Sequence, residues 1–510
     1  MGTVVQTEAS REIGTAVRHA FVYGLGSMAT KAISFLLLPV FTHYLRPADY
    51  GALEVLDLTM SLLGMLLNMG VMAAILRFYA MAKSPAEKHR VISTAFLGMA
   101  ISACCIGTIG FWSLRPASAA LFGPKISPVY AGLCFGAFLL NYIATVPYTY
   151  IRAKEASGTL VMIDVVTGLS TTALTVFCLV VLKWSLYGVL WSTLVICFVR
   201  SPLLIAWSIR ETGVRFDRDV FRKMAAFGVP LVFSNLAMFI LNFSDRFFLQ
   251  RLRSLDVVGV YATGYKFGFL LNFVFIQSFN MMWQARMYII HRERDHERIF
   301  AQVLVLYSVL VNFAALGLSL FSNDIVRMMI DRRYSGAEAV IPVVSLAYVC
   351  LAIGSFLQLG LYLSGKSGII GILCAFAGLF SIGLNYVLIS SYGMLGAAWA
   401  TVLGFALLGI GSYYCAQRIF PLRLRVGRVM LSVVIAMILY GVSRVWGSWP
   451  VWTAFTIKAI LLLSYPGILL LTRVVATEEL ATIRALRVKL VEGVGRLPIP
   501  AWARSVLAGE

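Results

Sequence analysis

Long apolar runs dominate this chain and settle what it can fold into. A bilayer takes roughly 17–25 mostly apolar residues per helical span. About fourteen runs of that kind can be marked: 20–44, 53–79, 91–113, 128–150, 159–182, 186–209, 224–250, 257–284, 299–321, 339–363, 368–389, 393–415, 428–446 and 451–474. They leave little room for a soluble core, so the expected fold class is an all-α integral membrane protein. Composition agrees: 60% of the 510 residues are hydrophobic and 13% are charged, where a soluble domain has roughly half and a quarter. Runs 53–79 and 257–284 carry interior charges, and 159–182 with 186–209 reads as a helical hairpin turning at Lys183. Residues 1–17 are polar and lack an apolar centre, so the first run is expected to stay as a span.

The net charge of +20 has its cause in topology. An even number of spans puts both tails on one side with connectors 80–90, 151–158, 210–223, 285–298, 364–367 and 416–427. That side carries about 27 Lys and Arg and the other about 10, which marks it, and both termini, as cytoplasmic. The expected topology is therefore multi-pass with both termini cytoplasmic, and the basic excess gives no reason to expect a nucleic-acid partner.

Charges inside spans are the informative residues. Lys31, Arg77, Arg200, Arg246 and Lys266 are basic; Asp57, Asp164 and Asp245 are acidic, with Glu54 near an interface. Lys458, in the last run, is expected to snorkel. A lysine at the centre of a span costs roughly 2.5–3.5 kcal/mol on insertion scales. Lys31 lies deep in its run with no acid within helical reach. Such a residue is tolerable where water reaches it and an anion visits it. Lys266, Phe273, Gln277, Asn280 and Gln284 recur at helical spacing, and run 224–250 carries Ser234, Asn235, Asn242 and Asp245 beyond Pro230. Amides are costly against lipid, so these stripes read as a hydrated wall or as interhelical hydrogen bonding. Cations that outnumber acids suit an anionic amphiphile such as a pyrophosphate with attached sugars. A cavity for cationic drugs is expected to be rich in carboxylates instead.

The chain also repeats itself. FTHYLRPADYG (41–51) aligns with FLQRLRSLDVVG (248–259): Phe41, Leu45, Arg46 and Asp49 match Phe248, Leu252, Arg253 and Asp256, and one extra residue brings Gly51 to Gly259. Each copy joins the first two spans of a six-span block. The expected organisation is a cytoplasmic tail (1–19), an N-lobe (20–209), a cytoplasmic linker (210–223), a C-lobe (224–415), two further spans (428–474) and a cytoplasmic amphipathic tail (475–510). In that tail Leu480, Ile483, Leu486 and Leu490 share a helical face suited to a membrane surface. A parallel repeat of this kind places a substrate site between lobes near the midplane.

Soluble catalytic motifs are lacking. GLYLSGKS (360–367) fits the phosphate-loop pattern, but it joins two apolar runs and has no preceding strand. No HExxH, calcium-loop or Ser–His–Asp pattern is present, and the five histidines fall in tails or connectors or, for His43, at the very end of a run. All eight cysteines lie in apolar runs without a CxxC pair, as small membrane-core residues do. The expectation is a non-enzyme with no cofactor and no metal, with coupling to H+ or Na+ left open.

The stretch FLLLPVFTHYLRPADYGALEVLDLTMSLLGMLLNMGVMAAILRFYA (35–80) resembles the O-antigen and exopolysaccharide flippases of the multidrug/oligosaccharidyl-lipid/polysaccharide (MOP) exporter superfamily. Leu45, Arg46, Asp49, Tyr50, Gly51, Gly70 and Arg77 carry the likeness. It implies two pseudo-symmetric six-helix lobes in a V, about 14 helices with the extra C-terminal pair, and alternating access. It implies a polyprenyl-diphosphate-linked oligosaccharide as cargo, for O-antigen, capsule or exopolysaccharide assembly, and a place in the bacterial cytoplasmic (inner) membrane. Lys31 and Arg77 match the family's basic positions, and Lys266 resembles a cavity position of lipid-linked peptidoglycan precursor flippases. The extra spans resemble a pair that forms a lipid-facing groove in those flippases. On this reading Lys31, Arg77, Arg200 and Lys266 bind the diphosphate, and Asn235, Asn242, Gln277 and Asn280 line the sugar path. Asp57, Asp164, Asp245 and Arg246 act in gating or ion coupling. Membrane lipids and the polymerase and export machinery are the expected partners. The alternatives are a cation-coupled drug or metabolite antiporter of the same fold and a peptidoglycan precursor flippase.

Overall fold

The structure, a computed structural model, describes residues 35–68, 70–122, 126–445 and 451–476. Lys31 and the amphipathic tail from 477 onward lie outside the described residues. No strand occurs among the described residues, and eleven helices are long and apolar enough to cross a membrane. One of them, Gly368–Ile419, serves as two spans. It is 52 residues long and breaks at Gly393, where φ is 59° and ψ is −131°. The chain doubles back so tightly that a Cβ on Gly396 would fall 2.0 Å from the Leu388 carbonyl oxygen. A further helix, Arg218–Leu252, covers the run 224–250. The chain is a multi-pass, all-α membrane protein.

Two compact units form. The first holds Met1–Lys266, Asp324–Val340 and Gly371–Gly404. In it, the run 53–79 is two helices, Pro47–Leu67 and Val71–Met81. Proline at the start of the first supplies a preset φ where no hydrogen bond is lost. The break falls at Asn68–Gly70, with Gly70 at φ 64°, a left-handed conformation that glycine enters at little cost. A side chain at Gly70 would also meet the Gly228 carbonyl oxygen at 2.6 Å, so the break packs directly on the Arg218–Leu252 helix. Around it a core closes from Ala74, Ile75, Ile92, Met99, Val146 and Tyr150.

The ends of helices in this unit are held by arginines. Arg333 donates to the carbonyls of Thr42 (3.1 Å) and His43, the last turn of the Leu38–Tyr44 helix. Arg253 donates to the carbonyls of Ile389 and Ser390 at 2.7–3.2 Å. Both use a cation's donors to satisfy carbonyls with no partner further along their helix.

The second unit holds Phe267–Asn323, Ile341–Ile370 and Phe405–Glu510. Its centre is aromatic: Phe279 stacks on Tyr307 at 3.9 Å, and Trp283 on Phe356 at 4.8 Å. Asn312 donates to the Ser432 hydroxyl, and Tyr465 to the Ser432 carbonyl, both at 3.3 Å. These bonds tie Val426–Val445 and Val451–Leu471 to His296–Leu320.

The run 257–284 is helical but irregular. Leu255–Leu271 passes into a π-helical turn, Asn272–Gln277, before Ser278–Ile290. A π turn inserts residues into the α-helical count and rotates the next stretch of helix about its axis. The single face expected for Lys266, Phe273, Gln277, Asn280 and Gln284 is therefore interrupted after Leu271.

Candidate functional site: a charged cavity at Lys266

The helix beginning at Pro47 carries Tyr50, Glu54, Asp57 and Ser61 at spacings of three and four, so all four share one face. Glu54, Asp57 and Ser61 line a cavity of about 530 Å³, together with Asn141, Tyr142, Thr175, Thr193 and Lys266. That volume lies within the usual range for small-molecule sites. The polar lining comes from helices Pro47–Leu67, Pro128–Ala153, Ser157–Val180, Ser185–Thr212 and Leu255–Leu271.

Lys266 is the cation at this wall. Its Nζ lies 2.5 Å from Glu54 Oε1 and donates to the Tyr50 hydroxyl, also at 2.5 Å. The same ammonium lies 4.9 Å from the centre of the Tyr50 ring. Tyr50 is fully buried, and Tyr334 meets it edge-on at 6.1 Å while donating to the Leu45 carbonyl. The phenol is thus fixed, and it fixes the ammonium.

A cation excess is expected of such a wall; the described residues of the lining carry more acids than cations, and Lys31 lies outside them. Among those described residues, two carboxylates, Glu54 and Asp57, stand with one ammonium, Lys266. Hydropathy puts Glu54 near an interface, at the start of a run. The helix in fact starts at Pro47, which carries Glu54 two turns inward to Lys266. Pairing across 212 positions leaves no local sequence signal; the only hint is the spacing of Tyr50, Glu54 and Asp57.

The other expected site residues are dispersed. Arg77 is exposed and stacks over the Phe227 ring at 4.4 Å. Arg200 reaches the cavity only through Asn141, whose side-chain oxygen accepts from its Nη2. Its Nε is buried without a partner, and it also lines an apolar groove of about 280 Å³ with Met162, Val166, Val199 and Leu203. Asp164 accepts from the Tyr148 hydroxyl at 2.7 Å. Asn235 is exposed, Gln277 is exposed within the π turn, and Asn280 is half-buried.

Asp245 and Arg246 are buried together. Arg246 Nη1 donates to Asp245 Oδ1 at 2.8 Å and to the Asn242 carbonyl at 3.0 Å. Tyr261 donates to Asp245 Oδ2 at 2.5 Å, and the guanidinium lies 3.7 Å from the centre of the Tyr265 ring. Asn242, also buried, donates its amide to the Met238 carbonyl. This is a buried network, with the two charges paired and the guanidinium on aromatic faces, and Arg246 Nε has no hydrogen-bond partner among the described residues.

Comparison with known proteins bears on the whole. The model of the family described as "Polysaccharide biosynthesis protein" matches residues 16–282, just over half of the chain. No curated protein matches the sequence. Among solved structures, the lipid II flippase MurJ in an inward closed conformation is similar at a TM-score of 0.69 and 12% identity, over 88% of this chain and 98% of that one. An inward-facing multidrug resistance MATE family transporter of the MOP superfamily is similar at 0.61 and 15% identity, over 76% and 93%. An outward-facing one is similar at 0.56 and 15%, over 79% and 94%. At these identities the likeness shows the fold. Taken with the family match, it identifies the chain as a member of the polysaccharide biosynthesis protein family, built on the fold of the MOP superfamily.

Proposed function

We propose that this chain is a flippase that moves a polyprenyl-diphosphate-linked oligosaccharide across the bacterial cytoplasmic membrane by alternating access, with both termini cytoplasmic. The carrying observation is an ammonium, Lys266, on the wall of a polar cavity inside a membrane protein of the polysaccharide biosynthesis family. Intramembrane ionisable groups mark substrate or ion pathways. A diphosphate would be held by Lys266, joined by Lys31, Arg77 and Arg200 in the course of transport. Amides and hydroxyls such as Asn141, Thr175 and Thr193 supply the donors and acceptors that a sugar needs. Asn235, Asn242, Gln277 and Asn280 serve the sugar path, and Asp57, Asp164 and the Asp245–Arg246 pair serve gating or ion coupling. The chain does no covalent chemistry in this scheme, and its product passes to polymerase and export machinery.

The test is surface-polysaccharide complementation with Lys266→Ala, Lys266→Arg and the same pair at Lys31. Alanine at Lys266 should abolish polymer, and arginine should retain part of the activity. Full activity with alanine at both positions would overturn the reading. Uptake of a cationic dye driven by H+ or Na+ would favour a drug antiporter instead, and restored peptidoglycan synthesis in a strain lacking its precursor flippase would redirect the cargo.

A further inference from the structure

Glu54 is the cavity group that the transport scheme leaves without a task. It occupies Lys266 in the way an anionic ligand would. Its Oε1 lies 2.5 Å from the ammonium, and a phosphate oxygen would use the same charge-assisted contact. An ammonium has three donors; Glu54 and Tyr50 take two of them. The Glu54 side chain is 16% exposed and that of Lys266 is 39%. The carboxylate is packed away while the ammonium still faces the cavity. The two residues belong to different helices, Pro47–Leu67 and Leu255–Leu271, so their contact is made by packing and can be unmade. Asp57 lines the same cavity one turn further on, so incoming anions meet a second negative charge.

We propose that Glu54 is an internal counter-ion: it holds Lys266 while the cavity is empty, and the cargo's anionic headgroup enters by displacing it. This rests on the reading that Lys266 receives the headgroup. The arrangement sets a threshold of charge density. A headgroup with one negative charge replaces one carboxylate with another anion and gains little. A diphosphate brings several anionic oxygens, so it outcompetes the carboxylate and can use the donor that remains. Glu54 thereby discriminates against the monoanionic phospholipids that surround the protein, and its return to Lys266 assists release. Discrimination here comes from a built-in competitor, as it does when specificity is set against the wrong partner.

The experiment uses the full chain in nanodiscs, with farnesyl diphosphate as probe and dihexanoyl phosphatidylglycerol as the monoanionic counter-probe. Glu54→Gln should bind farnesyl diphosphate roughly tenfold more tightly than the native chain. It should gain still more for the monoanion, so the preference between the two narrows. Lys266→Gln should bind weakly, and Glu54→Gln/Lys266→Gln should be as weak as Lys266→Gln alone. Glu54→Asp keeps the charge but shortens its reach, and should fall between native and Glu54→Gln. Thermal melting confirms that each variant is folded. If Glu54→Gln and Glu54→Asp bind no more tightly while Lys266→Gln is weakened, the counter-ion role is overturned and the headgroup reading stands. If Lys266→Gln binds as the native chain does, the headgroup reading itself fails and takes this inference with it.

Discussion

Gly51 and Gly259 meet backbone to backbone. A Cβ on Gly51 would fall 2.0 Å from the Leu255 carbonyl oxygen, and one on Gly259 would fall 2.0 Å from that of Pro47. They occupy corresponding points in the two copies of the repeated turn, so the repeat crosses itself at its two smallest residues. Small residues at a helix crossing let backbones approach where bulk would hold them apart.

Gly51→Ala should therefore cost at least about 1–3 kcal/mol, the usual range for overpacking. No flexible side chain is there to yield, since the obstructing atom belongs to the backbone. Gly158, with nothing within 4 Å of its Cβ position, is the control: Gly158→Ala should stay within about 0.5 kcal/mol. Thermal unfolding of both in the same detergent decides the matter. Equal melting temperatures would refute the crossing.

Gly70 faces two obstacles at once. Its φ of 64° is strained for any side chain, and a Cβ would lie 2.6 Å from the Gly228 carbonyl oxygen. Gly70→Ala should lose about 1–3 kcal/mol or more, with faster hydrogen exchange over Val71–Met81. Unchanged protection there would show that the break tolerates a side chain.

The Asp245–Arg246 pair makes a prediction about non-additivity. Asp245→Ala leaves a buried guanidinium without its counter-charge and should cost about 3–5 kcal/mol. Asp245→Leu combined with Arg246→Met removes both charges and should cost less than Asp245→Ala alone. Melting temperatures that simply sum would contradict this.

Arg333→Ala should loosen the Leu38–Tyr44 helix by removing its carbonyl cap, at under about 1 kcal/mol for so exposed a group. Arg333→Lys should not restore it, because one planar guanidinium holds Asp331 through Nε while its Nη2 reaches both carbonyls, and a single ammonium lacks that fork. The hydrogen bond from Arg333 holds the Asp331 carboxyl below its usual value. A depressed native value means the contribution is present above the unfolded carboxyl's value and lost only as pH falls through the lowered one. The Asp331 contribution to protection of the Leu38–Tyr44 helix, compared between the native chain and Asp331→Asn, should accordingly be constant from about pH 5 upward.

The fold was legible because hydropathy is a one-dimensional signal. Even the tight reversal at Gly393 falls where the run 368–389 gives way to the run beginning at 393. Gly70 could be marked as a small residue within a charged run, but its partner Gly228 lies on another helix. The site was less legible for a related reason. Lys266 announced itself by being a charge in an apolar run, whereas Glu54 sat near a run's edge and gained its meaning only from packing. The π turn after Leu271 has no proline or glycine pair to signal it, so a face drawn by α-helical counting ran past it. Asn242 reads as a hydrated amide by its place in a run, and only the structure shows that its amide donates to the Met238 carbonyl of its own helix.

The two acid–base pairs differ in how they are joined. Asp245 and Arg246 are neighbours in sequence, so their ion pair stays within one helix, and what the Leu255 helix adds is the Tyr261 hydroxyl and the Tyr265 ring. Glu54 and Lys266 are neighbours in space alone. Any motion that parts the Pro47 and Leu255 helices must split them and leave two bare charges for something to quench. The protein thus carries one ion pair made within a single helix and one made only between two, and the toll for separating the second can be met by what it carries.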